Sequence, residues 1–561
     1  MGGIQLTDFQ SFQNQKTLTL ADEEYLTVTE GRIRIRIAVA LFLLMLVIAI
    51  VRLAEISIFS SGAHQSNLPQ AIKITRADLT DRNGELLATT LETYSLYAEP
   101  RRVWNPKETA GKLAMLRGQL DRSKLQKKLE MDRSFVWLER GLTPKERQAV
   151  FDLGLPGLAF RKEPKRVYPR ENLASHVVGF TNVDMEGVAG VERAFDTELT
   201  SENAPSLALS LDLRVQFALT DELAKAREKF DAYDANGVVM DIRTGEIIAM
   251  ASVPNFNPNN PDTTSPETLF NHAAMSTYDL GSVFKPLTMA MALEDGVADQ
   301  MELFQVQKPY KVLNKFIRDD HPSKVPLNMA GVLRESSNRG TAMIAQRIGA
   351  ERQQYHLRNL GLLNRVEYEL AESAKPQVQD RWGEMATVTV SYGHGLSVTP
   401  LALTAAIAGM LNDGIYVTPT VRKHSVASPA MGRRVFRSEV SQDMVDMMRA
   451  VVTDGTGRKA NIPGYGVMGK TGTAEKPSAQ GGYDEKRLVT SFIAAFPHSA
   501  PRYAMIVTLD EPKAIEGTHG YATAGWNAAP TAGNVIRRIG PILPGARDTS
   551  QYAQISGGSA P

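Results

Sequence analysis

Ser282-Val283-Phe284-Lys285 puts a hydroxyl and an amine three residues apart. On a helix, positions i and i+3 share a face, so the two side chains come within reach of each other. Pro286 follows at once, and proline is tolerated only in a helix's first turn, where its missing N–H costs no bond. Ser282 is therefore expected at a helix N-terminus, where free N–H groups and the positive dipole end favour a developing oxyanion. A serine hydroxyl is a poor nucleophile until a base takes its proton. Lysine titrates near 10.4 in water, so Lys285 can act as that base only if burial or a nearby cation keeps it neutral. The plainer alternative is a serine cap beside a solvated lysine, and such a pair arises about once or twice by chance in a chain this long.

Ser336-Ser337-Asn338 stands before the helical run Gly340–Ile348, where a hydroxyl and an amide can relay a proton and orient a substrate amide. Helix capping accounts for the same residue types. Gly469-Lys470-Thr471-Gly472-Thr473 falls on a predicted strand. Lys470, Thr471 and Thr473 are expected to offer a cation and hydroxyls along one side, suited to a carboxylate, while Gly472 lets a ligand approach the backbone. Alone it reads equally as a polar edge strand. The order of the three is more telling: Ser-x-x-Lys, then Ser-x-Asn 54 residues on, then Lys-Thr-Gly a further 134 on. Lys-Thr-Gly by itself is expected roughly 0.1 times by chance at this length. The charge of Lys470 would also supply a cation that helps keep Lys285 neutral.

These motifs need a scaffold. An amphipathic helix is predicted near Leu213–Ala232, then two apolar strands within Gly237–Ala251 around a turn from Asp241 to Glu246. Further strands are predicted at Gly466–Glu475, Val489–Phe496 and Arg502–Leu509, with helices at 284–296, 340–350, 400–412 and 440–452. Such segregation predicts an α/β (α+β) chain whose antiparallel sheet is covered by helices on both faces. Upstream, Asp81-Arg82-Asn83-Gly84 between Ala71–Leu79 and Glu85–Ala98 signals a hairpin. Residues 107–155 read as helical, and 196–208 as a polar, turn-rich connector marking a domain boundary.

With 561 residues the chain is too long for one core. Sixty-three basic against 62 acidic residues leave +1, which disfavours a nucleic-acid binder. No cysteine is present, which excludes disulfides, thiolate metal sites and a cysteine nucleophile. The nine histidines form no His-Glu-x-x-His pattern, so neither metal nor cofactor is called for, and His394 reads as a structural loop residue. Ile37 to Val51 is an unbroken apolar run preceded by Arg32, Arg34 and Arg36 and extended past Arg52 by Leu53, Ala54 and Ile56. This predicts a single-pass anchor at 32–54 with residues 1–31 cytoplasmic. A buried helix and a cleaved signal peptide are the alternatives.

The ordered triple resembles the signature of penicillin-binding proteins and serine β-lactamases. Arg76 with Asp81–Gly84, Gly187-Val-Ala-Gly190-Val-Glu192, Tyr392-Gly393-His394-Gly395, Gly455-Thr456-Gly457, Ser491-Phe492 to Phe496-Pro497 and Asp510-Glu511-Pro512 narrow it. Together they resemble the class B penicillin-binding proteins, and among them the division-specific peptidoglycan D,D-transpeptidases. The resemblance implies a β-rich pedestal (dimerisation-type) domain at 55–205, a transpeptidase domain at 206–543 and a loose tail at 544–561. It implies a bacterial inner-membrane protein with a periplasmic catalytic domain at the septum. Its partners would be peptidoglycan stem peptides, β-lactams as inhibitors, the membrane, an FtsW-type glycosyltransferase and other divisome proteins, with no nucleic acid.

By the same resemblance, Ser282 attacks the penultimate D-alanine carbonyl, Lys285 is its base, and Ser336 passes a proton to the departing D-alanine. Asn338 holds Lys285 and the substrate amide. Lys470, Thr471 and Thr473 hold the terminal carboxylate, beside Gly472, and the N–H groups of Ser282 and Thr473 form the oxyanion hole. The chain departs from the pattern at Ala77, at Asp279-Leu280 where Glu-Pro is common, in its short connector, and in lacking a phenylalanine after Ala528-Ala529-Pro530. An elongation-specific class B enzyme, a carboxypeptidase or β-lactamase, and a non-catalytic β-lactam sensor or divisome scaffold are the competing readings.

Overall fold

The computed structural model describes residues 36–52, 76–424, 431–478 and 482–548. They fall in two units, Met1–Ile74 and Thr75–Pro561. In the first, residues 36–52 form an exposed helix. Residues 32–35 and 53–54 of the expected anchor lie outside the described residues. Among the described residues no helix is long and apolar enough to cross a membrane. The expected span of 32–54 is therefore not met by them. Residues 1–35, 53–75 and 549–561, with most of the expected tails, lie outside the described residues.

The second unit opens with a sheet centred on β2 (Leu86–Ala98), whose alternating threonines, tyrosines and leucines favour extended backbone. It pairs antiparallel with β1 (Leu79–Thr80), β3 (Val136–Leu142) and β4 (Leu158–Val167). The Asp81–Gly84 turn makes the expected hairpin, but its first strand is only two residues long. Asp81 Oδ1 accepts from the N–H groups of Asn83 and Glu85, and its Oδ2 from the N–H of Leu213. The turn is thereby fastened to the next domain's first helix.

The expected helical stretch 107–155 is interrupted. Helices Pro106–Leu116, Arg122–Leu129 and Pro144–Phe151 are present, but β3 runs between the last two. Its Trp137 packs edge-on against Phe135, whose ring lies 4.8 Å from Tyr97 on β2. Tertiary aromatic packing overrides the charged, helix-like pattern around it. The connector is likewise firmer than expected. It contains helix Asp196–Leu199 and β5 (Leu207–Ala208), which pairs parallel with β1. Asp196 joins a buried charge knot: Arg76 bonds Glu192 and Asp196, and Arg166 Nε reaches Glu192 at 2.7 Å.

The larger sheet is antiparallel throughout, in the order β8 (Met468–Pro477), β9 (Tyr483–Phe496), β10 (Tyr503–Asp510), β6 (Asp234–Asp241), β7 (Ile247–Val253). Strands β6, β7 and β10 are buried at every residue, and their side chains alternate between two cores. Val238, Met240 and Ile506 enter the larger core; Ala235, Val239 and Met505 enter the smaller. Helices α1 (Leu213–Lys229) and α6 (Ala528–Ile539) cover the smaller core. Helices α2 (Lys285–Glu294), α3 (Asn338–Asn359, broken at Gly349), α4 (Pro400–Leu411) and α5 (Ser438–Thr453) cover the larger. Helix α4 is apolar and buried all round, as a central helix must be. The expected two-faced sandwich is present, with β8 at its edge.

Candidate active site

Ser282 lies on a 3-10 turn, Gly281–Phe284, that runs directly into α2 with Pro286 in its first turn. The N–H of Lys285 bonds the Ser282 carbonyl, so the two side chains stand one tight turn apart. Three glycines hold this turn against its neighbours. The N–H of Gly281 donates to the Gly393 carbonyl at 3.1 Å. A Cβ at Gly393 would sit 2.1 Å from the Gly281 oxygen, and one at Gly281 2.7 Å from the Thr473 oxygen. At Gly472 a Cβ would lie 2.3 Å from the Leu280 oxygen and 2.9 Å from Val283. Gly472 thus admits the chain's own nucleophile turn, where a ligand's approach was expected. Asp279 is buried beneath the turn and accepts from the Gly395 N–H (3.0 Å), Ser397 Oγ (2.6 Å) and Tyr483 OH (2.9 Å).

Ser336 has a left-handed backbone, φ 59°, which aims its hydroxyl between two lysines. Lys285 Nζ reaches Ser336 Oγ at 3.1 Å and also donates to the Ser336 carbonyl; Lys470 Nζ reaches the same Oγ at 2.9 Å. Both lysines are fully buried and Ser282 is half-buried. The capping explanation is true of the neighbour instead: Ser337 Oγ accepts from the Gly340 N–H and donates to Asp319. Asn338 departs from its expected role, since its Nδ2 donates to the Arg318 carbonyl at 3.2 Å rather than to Lys285.

Burial brings Lys285 down to about 7, against the opposing pull of Asp319 and Asp320. Lys470 is held well below the usual lysine range, first by burial and then by the charge of Lys285. Desolvation is the larger cause at both lysines, and the repulsion between the two ammonium groups adds to it. A serine hydroxyl between one neutral amine and one ammonium can both give and accept a proton.

Along the strand Lys470 and Gly472 alternate with Thr471 and Thr473, yet Lys470 Nζ comes within 3.5 Å of Thr471 Oγ1, which brings that cation and hydroxyl together. Lys470 Nζ folds back to the Thr471 carbonyl at 3.0 Å. Thr471 Oγ1 meets Thr456 Oγ1 at 2.6 Å, and Thr473 Oγ1 accepts from the Ala524 N–H. Asp279, Asp319 and Gly281 escaped the sequence reading as site residues; the glycine directly before Ser282, which the fold puts at positive φ, was the signal available for one of them. A cavity of about 540 Å³ opens elsewhere, around Asp231, Asp234, His272 and Glu511, and none of the residues above lines it.

A penicillin binding protein transpeptidase domain matches residues 236–537, over half of the chain, and a penicillin-binding protein dimerisation domain matches 71–206. The chain belongs to the class B penicillin-binding proteins. Among its relatives in that family is the probable peptidoglycan D,D-transpeptidase FtsI of Caulobacter vibrioides, 41% identical over 88% of this chain and 85% of that one. Peptidoglycan D,D-transpeptidase FtsI of Escherichia coli K12 is 31% identical over 82% of each. Penicillin binding protein 3 of Mycobacterium tuberculosis, solved as the apo-form, superposes with a TM-score of 0.65 at 25% identity, covering 87% of this chain and 97% of that one. The same protein has been solved in complex with aztreonam.

Proposed function

We propose that this penicillin-binding protein is a septal peptidoglycan D,D-transpeptidase, acting through an ester of Ser282. The observation that carries this is the Ser336 hydroxyl held between two buried lysines, of which Lys285 stands one turn from Ser282. Neutral Lys285 takes the Ser282 proton as Oγ attacks the carbonyl of the penultimate D-alanine. The N–H groups of Ser282 and Thr473 receive the oxyanion. Ser336 relays a proton to the departing D-alanine, whose carboxylate Lys470, Thr471 and Thr473 hold, with Gly472 keeping the strand against the turn. Asn338 orients the substrate amide. An amine from a second stem peptide then takes the acyl group, forming the cross-link and freeing Ser282.

The septal assignment rests on the named FtsI relatives. With it come an anchor at 32–54, a pedestal at 55–205, a transpeptidase domain at 206–543, a periplasmic catalytic domain, and docking to an FtsW-type glycosyltransferase and other divisome proteins. Penicillins imitate the donor and acylate the same serine. Ser282→Ala is expected to abolish covalent labelling by a fluorescent penicillin without altering the thermal unfolding profile. Labelling that persists in a folded Ser282→Ala protein would place the nucleophile elsewhere.

A further inference from the structure

Charge is spread unevenly along the chain. Residues 100–167 hold 17 basic and eight acidic residues, a charge of +9, where the whole chain carries +1; the rest of it therefore carries −8. Several of these cations are neutralised locally, as Arg117 is by Glu139 and Glu146 and Arg166 by Glu192.

Those of helix Arg122–Leu129 are not. Arg122, Lys124 and Lys127 are exposed and none forms an ion pair. Leu125 and Leu129 are buried, which turns Lys124 and Lys127 to solvent. Asp121 caps the helix, its Oδ1 accepting from the N–H groups of Ser123 and Lys124 at 2.8 and 3.0 Å. This helix packs on Pro106–Leu116, where a Cβ at Gly111 would stand 3.7 Å from the Arg122 guanidinium. Lys107 lies one helical turn before Gly111, exposed and also without an ion pair, while its neighbour Glu108 is taken by Lys112. Four unpaired cations thus stand on two packed helices at the surface of one lobe. That lobe is fixed to the catalytic sheet's domain: where β4 ends, Tyr168 gives its N–H to Asn259 Oδ1 and takes the Asn259 Nδ2 proton on its carbonyl, both at 3.0 Å.

The chemistry of the face selects its occupant. Helix Arg122–Leu129 exposes no apolar side chain with which to enter a bilayer. Two such lobes repel each other, which disfavours a second copy. A polymer that carries carboxylates at intervals fits, because several weak contacts on one chain add as avidity. We propose that this lobe holds peptidoglycan strands through their stem-peptide carboxylates, so that cross-linking draws on peptides concentrated beside Ser282. This rests on the transpeptidase reading above.

The test occupies Ser282 with penicillin and measures cosedimentation of the full-length protein, in non-ionic detergent, with purified sacculi. Affinity is expected to fall at least about 10-fold between about 50 and 300 mM salt. Lys107→Gln, Arg122→Gln, Lys124→Gln and Lys127→Gln combined are expected to cost at least about 10-fold at low salt, with penicillin acylation within about twofold of wild type. Wild-type protein is expected to lose the same affinity for sacculi whose carboxylates have been amidated. Wild-type protein that stays in the supernatant, a folded variant that sediments as wild type, or undiminished binding to amidated sacculi overturns the proposal. Binding that prefers phosphatidylglycerol vesicles to sacculi overturns it in favour of a lipid headgroup. If the variant misfolds, the amidated sacculi decide alone. A wild type that penicillin fails to label would instead overturn the transpeptidase reading, and sedimentation is then scored without the block.

Discussion

The pH dependence of Ser282 acylation tests the buried lysine most directly. With Lys285 brought to about 7, half of it is neutral at pH 7. A solvated lysine near 10.4 would be neutral in roughly one molecule in 2,500, so burial enlarges the active fraction roughly 1,000-fold. The sign follows from a depressed base: the neutral form is lost as pH falls through the folded value. Acylation by penicillin, followed as a pseudo-first-order rate from pH 5 to 10, is expected to rise about 50-fold between pH 5 and 7 and only about twofold from 7 to 9. A falling limb is expected below the ordinary lysine range, as depressed Lys470 loses the charge that holds the carboxylate. Asp320 raises Lys285, so Asp320→Asn should move the rising limb to lower pH. Its exposure lets water and salt screen the effect, which sets the expected gain at pH 6 at about twofold. Lys285→Arg, which cannot deprotonate, should lose at least about 100-fold at pH 7. A rising limb near 10, or a Lys285→Arg enzyme close to wild type, would refute the assignment of Lys285 as a base made neutral by burial.

Gly393→Ala is expected to lower the midpoint of thermal unfolding and cripple penicillin labelling, because its Cβ would collide with the Gly281 carbonyl; Gly383→Ala, with nothing within 4 Å and an ordinary backbone, should keep full labelling. Glu192→Gln leaves Arg166 buried without a carboxylate and Arg76 with Asp196 alone, and is expected to cost about 3–5 kcal/mol. Limited proteolysis should then cut the pedestal sheet while Ser282 still binds penicillin. Replacing residues 32–54 with an unrelated single-pass helix of the same length and orientation should give filamentous cells despite normal labelling. Wild-type division by that chimaera would show the segment to be only a tether.

The chemistry was legible because it is written locally. Ser282 and Lys285 share one turn, Pro286 places that turn at a helix start, and the order of the three motifs singles out Ser336 and Lys470. The two-faced sheet was legible for the same reason: strands β6, β7 and β10 carry their apolar residues in unbroken runs. Strand β3 was not, because its place depends on Tyr97, about 40 residues away in sequence. The Ser-x-Asn spacing singled out Ser336, but only the fold shows how it reaches the lysines, through a left-handed φ that leaves Ser337 as the cap. The fold-back of Lys470 Nζ onto Thr471 awaited the strand's register against α2. Above all, the state of Lys285 belongs to the folded protein. The amino acid brings a base near 10.4 in water, and only the packing that removes water from around it brings that base to about 7.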